Sequence, residues 1–511
     1  MQKPSKAPHT INPGLADASR HLSYQPTRRA VVLGTLAAAT SAVLPSTAQA
    51  LEQLVLDDAS HLDATPVARH IIVKPSNESI LIEQLRRELK DAVAAGRPVA
   101  MGVARHSMGG QSLARDGTAF TFETPICEPD RDARIYRAHA GTRWRDIIAV
   151  LDPLGFSPKV MQTNNDFGVA STFSVNAHGW PVPHGPFGST ARAFRLMLAD
   201  GSTVTCTRDE NTELFRHVMG GYGLLGIILD LEVEMVPNTL LKPSFELLSG
   251  AAFGVRFPAV CADPTVTMAY GRLDVSHHRF LDDALLVSFR PAPATSGNLP
   301  PAGTGSGMAS FLSREIYRSE VGSEWAKRFR WLMETTVEPR LGSGGVTRNS
   351  LLNWGVATLA ENNPRRTDIL HEYFVPPANF PEFLLACRDV IPKSRQELLN
   401  VTLRFVGPDP ESVLTYAPTP RISAVMSFSQ LRTAEADARM QAMTRDLIER
   451  VIAIGGSFYL PYRLHARTDQ FIRAYPAARD FAECKRRYDP GRLFRNALWD
   501  KWLENPGKER G

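Results

Sequence analysis

The sequence predicts an α+β fold, with alternating strands and helices near the N terminus and a mainly antiparallel sheet further on. Three observations favour this class. The first part of the chain shows a strand–helix–strand pattern, a hairpin is predicted over residues 194–204, and later strand-like segments lie beside a long amphipathic helix. Because 511 residues exceed what one hydrophobic core normally supports, we expect two or three domains.

The first strand–helix–strand unit begins after Pro66. Arg69 to Lys74 has an apolar centre and predicts a strand, and Ser76 can cap the helix that follows. Gly96 lies where a helix normally ends. The helix is indicated by apolar residues near a 3.6-residue period, at Ile80, Leu81, Leu85, Leu89, Ala92 and Val93.

A second strand, Val99 to Val103, leads into a loop that contains two adjacent glycines and a histidine. Glycine lets backbone N–H groups approach a ligand closely, and successive N–H groups form a concave site for phosphate oxygens. We therefore predict a phosphate-binding loop. Its candidate ligand contacts are Gly102, Arg105, His106, Ser107, Met108, Gly109, Gly110, Gln111 and Ser112.

Three further blocks of small residues follow, at 169–179, 184–189 and 220–229. Small residues are needed where the backbone packs flat against a ligand. For Asn176 and His178, packing against the backbone is as good an interpretation as catalysis. The candidate contacts in these blocks are Ser171, Thr172, Ser174, Asn176, His178, Gly179, Gly226, Ile227 and Ile228.

Residues 240–455 carry fewer motifs. Pro291 to Gly307 is rich in Pro, Gly and Ser and predicts a flexible loop inside this region. The remaining predicted elements are three strands and one amphipathic helix, at Thr367 to Pro376, Leu398 to Val406, Arg421 to Phe428 and Ala434 to Ile454.

The four small-residue blocks, in this order and spacing, resemble the flavin domain of the vanillyl-alcohol-oxidase (PCMH-type) flavoproteins over roughly residues 66–238. In that family the loop has the form Arg-Gly-His-Ser-x-x-Gly-Gln. The chain is similar to cytokinin dehydrogenases and, from His184 through Gly226, to decaprenylphosphoryl-ribose oxidases. The resemblance implies a bipartite FAD-binding domain, a cap domain for the substrate at 240–455, and a C-terminal segment, 456–511, that returns to the FAD domain.

The resemblance also implies FAD as the cofactor. Many members bond the loop histidine covalently to the flavin, and His106 occupies that position; the alternative is a loop histidine that bonds phosphate or backbone. There is no cysteine between Lys159 and His178, where doubly linked relatives carry a second attachment, so a single link is expected. The implied reaction is hydride transfer from a C–H bond next to oxygen in an alcohol, polyol or sugar-like molecule, with oxygen, a quinone or a protein as the electron acceptor. Oxidation of a C–N bond, as in cytokinin dehydrogenases, and flavin binding without turnover are the alternatives.

The proton acceptor of the family is not found at the expected positions. Cytokinin dehydrogenases carry an aspartate where this chain has Thr163, and Asp166 fits only after a three-residue shift. Aldonolactone oxidases place Glu-x-Arg on a cap strand, and here only Arg404 of that pair is kept. We expect four side chains to meet at the reacting face, with surface salt bridges as the alternative for the arginines: Arg404, Tyr462, Arg463 and His465.

Residues 1–50 predict a twin-arginine export signal, which implies a periplasmic or secreted protein. Arg28-Arg29 precedes an apolar run that ends near Leu44, and Ala48-Gln49-Ala50 is a small-x-small cleavage site. A membrane anchor is the alternative, but the run is shorter than the roughly 20 residues that span a bilayer. No later segment predicts a membrane span.

Charge and cysteine usage exclude other classes. Residues 1–50 hold five of the 58 Lys and Arg residues and one of the 53 Asp and Glu residues, which leaves 53 basic against 52 acidic residues in the rest. Such a balance argues against a nucleic-acid partner. The five cysteines are scattered, so buried thiols are expected rather than a zinc site, with one disulfide as the alternative.

Overall fold

We describe a computed structural model of the chain, which covers residues 54–74, 77–292, 299–303, 308–341, 345–355, 361 and 363–506, with no description of side chains at 308–313 and 341. The predicted export signal, Ser76 and parts of the loop 291–307 lie outside the described residues. The described residues form one compact unit.

The N-terminal layer is a three-stranded parallel sheet with strand order β3-β5-β4. Helix α1 begins after Asn77, whose side chain accepts a hydrogen bond from the backbone N–H of Ser79, and its buried leucines pack on this sheet. A short antiparallel pair, β1 and β2, precedes it. The elements are β1 Val55–Leu56, β2 Thr65–Pro66, β3 Arg69–Val73, α1 Glu78–Ala94, β4 Val99–Gly102 and β5 Thr118–Phe122.

The second layer is a six-stranded antiparallel sheet, in the order β10-β9-β11-β7-β6, with β8 also paired to β11. The predicted hairpin is present, since β9 and β10 are joined by the turn at Asp200-Gly201. The elements are β6 Cys127–Asp130, β7 Ile135–His139, α2 Trp144–Leu151, β8 Phe156–Pro158, α3 Val169–Ser174, β9 Ala191–Met197, β10 Thr203–Thr207, α4 Thr212–Val218 and β11 Ile227–Pro237.

The third layer is an eight-stranded antiparallel sheet, in the order β15-β12-β14-β13-β17-β18-β16-β19. Helices α5 and α11 contact this sheet, and α10 contacts both helices. Its elements are β12 Leu240–Ser249, α5 Gly250–Cys261, β13 Met268–Leu273, β14 Asp283–Pro291, α6 Met308–Ser319, α7 Glu324–Leu332, α8 Glu338–Leu341, β15 Val346–Thr347, α9 Arg348–Leu352, β16 Arg366–Val375, α10 Phe380–Ser394, β17 Glu397–Val406, β18 Arg421–Leu431, α11 Ala434–Ala453 and β19 Ser457–Phe458.

The C-terminal segment packs against the N-terminal layer. The N–H of Val99 donates to the carbonyl of Leu493, and the Asn496 side chain donates to the carbonyls of Gln111 and Tyr222. This segment carries two helices, α12 Thr468–Ala474 and α13 Ala478–Tyr488.

The α+β class predicted from the sequence is confirmed, and the strands predicted near 367, 398 and 421 are β16, β17 and β18. All five cysteines are unbridged, four of them buried and Cys127 partly so. Among the described residues, no helix combines the length and apolar character that a membrane crossing requires.

Candidate functional site

The loop after β4 departs from the family motif at two residues, since Ala104 stands where the motif has arginine and Arg105 where it has glycine. The motif has glycine before its histidine, whereas this chain has Arg105, whose φ of +49° lies in the left-handed region that favours glycine. For a residue other than glycine, this backbone conformation costs about 1–2 kcal/mol. The Arg105 guanidinium offsets part of this cost by donating hydrogen bonds to strand β5, to Thr121 Oγ1 at 2.6 Å and to the Phe120 carbonyl at 3.4 Å.

The free backbone donors of this loop lie on both sides of the paired glycines. Within the described residues, the N–H groups of 105–107 and of 111–112 have no acceptor. The next three N–H groups are bonded inside the protein: Met108 to the Pro461 carbonyl at 2.8 Å, Gly109 to Gln111 Oε1 at 2.9 Å and Gly110 to Asp58 Oδ2 at 2.8 Å. The paired glycines therefore shape the turn, and the N–H groups on either side of them, including those of Arg105, His106 and Ser107, are available to a phosphate.

His106 is partly buried in this loop. Its ring lies 4.4 Å from the Phe167 ring, and burial lowers its pKa, with nearby Asp166 opposing and Arg143 reinforcing that effect. Its Nε2 is buried and lacks a hydrogen-bond partner among the described residues. A buried polar atom normally has a partner, so this nitrogen fits a bond to a ligand.

The remaining loop residues tie the loop to its surroundings. Gln111 Nε2 donates to the carbonyls of Leu460 and Tyr462, and Met108 Sδ accepts from the N–H of Leu370 on β16. Ser107 and Ser112 have their hydroxyl oxygens 3.5 Å apart. Gly102 ends β4 with little free space, since a Cβ there would lie 3.2 Å from the Arg105 side chain.

In the second small-residue block, Thr172 and Asn176 already have partners. Thr172 Oγ1 accepts from the Trp144 indole N–H at 2.9 Å, and Asn176 Nδ2 donates to Asp409 Oδ2 at 3.0 Å. Within the described residues, the partly buried hydroxyls of Ser171 and Ser174 make no hydrogen bond. These two hydroxyls, rather than Thr172 and Asn176, are therefore available to a ligand.

Two glycines of these blocks are required by backbone packing. A Cβ at Gly179 would lie 1.9 Å from the carbonyl oxygen of Met161, and one at Gly226 would lie 2.6 Å from that of Met197. Ile227 and Ile228 follow as buried residues at the start of β11, paired with Met197 and Leu196 of β9. Their roles in the structure are close packing and the sheet core.

A buried carboxylate lies where the eight-stranded sheet of the third layer meets the second small-residue block. Successive side chains of a strand point to opposite faces. On β16, His371 therefore faces α11, where it bonds Thr444, while Glu372 faces the other way. Glu372 Oε1 lies 2.6 Å from His178 Nε2, and both side chains are at most 3% exposed.

Two residues of the third-layer sheet and one residue of the C-terminal segment lie around this pair. We define the carboxylate cluster as His178, Glu372, Arg404, Ser423 and Tyr462. The Ser423 hydroxyl donates to Glu372 Oε1, and the Tyr462 hydroxyl lies 3.4 Å from Oε2 as a donor. Arg404 donates to the carbonyl of His178 at 3.2 Å and to Thr163 Oγ1 at 2.8 Å. Thr163 therefore contacts the cluster at the position where cytokinin dehydrogenases have their aspartate.

The charges in the carboxylate cluster are unevenly distributed. Burial opposes ionisation of Glu372, but His178, Arg404 and Ser423 outweigh it and place its pKa below the ordinary value. Burial, reinforced by Arg404, lowers the pKa of His178 despite the nearby carboxylate. Glu372 is therefore an anion beside a neutral imidazole at neutral pH. Burial and Glu372 raise the pKa of Tyr462 well above its ordinary value, so its phenol remains a donor.

The structure brings Arg404 and Tyr462 together but places Arg463 and His465 elsewhere. Arg463 forms ion pairs with Asp63 at 2.6 Å and Asp437 at 3.3 Å. The His465 ring lies 5.3 Å from that of His371, on the face of β16 that α11 covers, and its Nδ1 is 3.2 Å from Thr444 Oγ1. This corrects the expectation that all four side chains meet, because Asp63 and Asp437 hold Arg463, and Thr444 holds His465, away from the carboxylate cluster.

Sequence reasoning missed Glu372 because it sought the acid on the strand of Arg404 or near Thr163. The register pairs Glu372 with Val425 and Val425 with Thr402, so Glu372 lies level with Thr402 two strands away. Thr402 is where aldonolactone oxidases carry their glutamate. A signal was present, since Glu372 interrupts the apolar run from Ile369 to Val375, and a buried charge requires a partner.

Comparison with known proteins matches part of the first two layers to a family. Residues 71–207 match the FAD binding domain family. The chain is 31% identical over 140 residues to cytokinin dehydrogenase 1 of Arabidopsis thaliana, which covers 26% of this chain and 24% of that protein. It is 27% identical over 112 residues to L-gulonolactone oxidase of Scyliorhinus torazame, covering 22% and 26% of the two chains.

A third relative, human (Homo sapiens) Delta(24)-sterol reductase, is 29% identical over 139 residues, which cover 27% of this chain and 26% of the reductase. The chain thus matches only about a quarter of the length of these relatives, at 24% to 26%. The family match at residues 71–207 contains the loop with the unpartnered His106 and the free N–H donors. The chain therefore carries an FAD-binding domain of the PCMH type.

Proposed function

We propose that the protein is an FAD-dependent oxidoreductase that oxidises a C–H bond next to oxygen in an alcohol, polyol or sugar-like small molecule. The observation that carries this proposal is the buried carboxylate cluster, in which Glu372 lies between the cap sheet and His178. An ionised, positioned proton acceptor and a fixed cation in one water-poor site are what alcohol oxidation requires of the protein.

The residues of the first two layers fit the cofactor. The N–H groups of 105–107 and the hydroxyls of Ser171 and Ser174 would bind its polar groups, and His106 Nε2, buried without a partner in the described chain, would form the covalent link. FAD, when bound, supplies the acceptor for the hydride that leaves the substrate carbon.

The cluster residues have distinct roles in this proposal. Glu372, held ionised, accepts the proton of the substrate hydroxyl, while Arg404 stabilises the negative charge that develops on that oxygen. Tyr462 donates a hydrogen bond to the substrate or to the carboxylate. Exclusion of water strengthens each of these interactions. His178 positions Glu372 and stays neutral, because burial lowers its pKa.

Covalent attachment and export belong to the same proposal. Outside the cell free FAD is scarce, so a histidyl link would prevent loss of the cofactor. The Arg28-Arg29 segment supports the twin-arginine route, which carries folded proteins with their cofactors. Oxygen, a quinone or a protein would then accept the electrons.

The test is a substrate panel with purified protein and a dye acceptor. Alcohols, polyols and aldonolactones should bleach the yellow flavin without oxygen. A cytokinin belongs in the panel because of the similarity to cytokinin dehydrogenase 1, although Thr163 replaces the acid there. Bleaching by the cytokinin alone would favour C–N oxidation, and a loaded flavin that no donor reduces would favour binding without turnover.

A further inference from the structure

A cleft of about 810 Å³ lies between residues 62–65, helix α11 and the two C-terminal segments 463–468 and 497–501. We call it the basic cleft. Gly109 and Gly110 line one side of it, but its lining includes neither His106 nor any member of the carboxylate cluster. The basic cleft is therefore separate from the carboxylate cluster, and the proposed reaction gives it no role.

Positive charges dominate the lining of the basic cleft, but they are not equally neutralised. Arg467 is paired with Glu449 and Asp469, and Arg463 with Asp63 and Asp437. In the described part of the chain, Arg445, Lys501 and the exposed Arg115 have no carboxylate within salt-bridge distance. Three cations of the lining thus lack an ion pair, and two of them, Arg445 and Lys501, are partly buried.

These two cations are fixed next to each other by the backbone. Lys501 Nζ donates to the carbonyl of Leu464, and Arg445 Nε donates to the carbonyl of His465, the following residue, at 2.8 Å. Each cation keeps further N–H donors after making this bond. The geometry therefore ties an ammonium and a guanidinium group to successive carbonyls of one dipeptide.

The electrostatics of the cleft favour an anion. Burial lowers the pKa of Lys501 to about 8; Arg445 and Arg463 add to that effect, and Asp63 opposes it. His465 also lines the cleft, is 3% exposed, and its Nε2 has no hydrogen-bond partner in the described residues. Desolvated charges of one sign are costly unless a counter-ion pairs with them.

We propose that the basic cleft is a binding site for a phosphate group, held by Lys501 and Arg445. A guanidinium binds two oxygens of a phosphate at once, and a lysine ammonium adds a compact charge. Free phosphate and a small phosphate ester share this chemistry, and the cleft volume admits either.

The experiment titrates the FAD-loaded protein with inorganic phosphate at pH 7 and constant ionic strength, using calorimetry and phosphorus NMR. Lys501→Met and Arg445→Met should each weaken binding about tenfold or more, because each removes charge-assisted hydrogen bonds. Arg467→Met is the matched control, since Arg467 lines the same cleft but is neutralised by Glu449 and Asp469. Its affinity should stay within about twofold of wild type.

One further variant and several further ligands distinguish the possible results of this titration. Arg445→Lys keeps the charge but loses the guanidinium fork, so it should bind phosphate more tightly than Arg445→Met and less tightly than wild type. This variant also covers the case in which a methionine variant fails to fold. Tighter binding of glycerol phosphate than of inorganic phosphate identifies an ester as the ligand, whereas equal binding identifies free phosphate. Three results would overturn the proposal. Chloride or succinate would bind as tightly as phosphate, Arg467→Met would lose as much phosphate affinity as the other methionine variants, or phosphate would release the flavin.

Discussion

Replacing Glu372 with glutamine tests the proposed chemistry most directly. Glutamine keeps the shape of the side chain, so the contacts with His178, Ser423 and Tyr462 can be retained, while the negative charge and the proton acceptor are lost. The two hydrogen bonds of Arg404 to Thr163 and the His178 carbonyl do not involve Glu372 and should hold the guanidinium in place.

The expected loss follows from what each group does. Removing a positioned general base typically lowers the rate by about 10²–10⁴-fold, which corresponds to roughly 3–5 kcal/mol in the activation free energy. Binding of the substrate should change less, because Arg404 and Tyr462 remain. The loss should therefore fall mainly on the rate constant of flavin reduction rather than on the substrate concentration that gives half the maximal rate.

Anaerobic stopped-flow measurement of flavin bleaching with the best donor of the panel gives this rate constant. Glu397→Gln is the control, because Glu397 lies at the start of β17 and is paired with Lys327, outside the carboxylate cluster. Flavin content and visible spectrum verify that both variants are loaded. A fully loaded Glu372→Gln protein that reduces at more than half the wild-type rate would refute the role of Glu372.

Three further changes have defined outcomes. His106→Ala should release its flavin into the supernatant on acid precipitation, whereas wild-type protein should keep flavin fluorescence in the pellet; release from both would exclude the covalent link. Arg404→Met should slow flavin reduction about a hundredfold, while Arg463→Met, which breaks the ion pairs to Asp63 and Asp437, should lower the thermal midpoint and leave reduction near wild type. Burial raises the pKa of Asp58 to about 6, so the folded state binds this proton more tightly than the unfolded state does. The proton therefore stabilises the folded state at low pH, and this stabilisation is lost as pH rises from about 4 to 6. Urea unfolding of wild type against Asp58→Asn should show the wild type gaining up to about 3 kcal/mol on acidification across that interval, and parallel curves would contradict this.

The sequence predicted local structure well where one strong pattern decides it. The strand before Arg105, the hairpin around Asp200-Gly201 and the helix after Thr433 follow from apolar periodicity and turn chemistry, which act over a few residues. The FAD-binding domain was likewise predictable, because its loop has a fixed spacing around His106. These features depend on neighbours in sequence.

The carboxylate cluster depends on sheet register instead. Glu372 and Arg404 come from strands separated by β18, and His178 comes from the FAD domain, so only the order and alignment of β16, β18 and β17 bring them together. The same reason explains why Arg463 and His465 were misplaced, since the choice of face in the segment after Tyr462 is made by contacts with α11. No local pattern specifies that choice.

A hydrophobic replacement of the cluster would separate function from stability. Burying Glu372 and Arg404 carries a desolvation cost that apolar residues of similar volume would avoid, and such replacements are often neutral or stabilising by about 1–4 kcal/mol. We therefore expect the triple variant His178→Phe, Glu372→Met and Arg404→Met to unfold in urea at the wild-type midpoint or above it, yet to lose donor-dependent flavin reduction. Single removal of Glu372 by methionine should be more destabilising than the triple change, because it leaves Arg404 without a counter-charge. If the triple variant bound flavin but unfolded well below wild type, the cluster would be a structural ion network, and the catalytic assignment of Glu372 would fail with it.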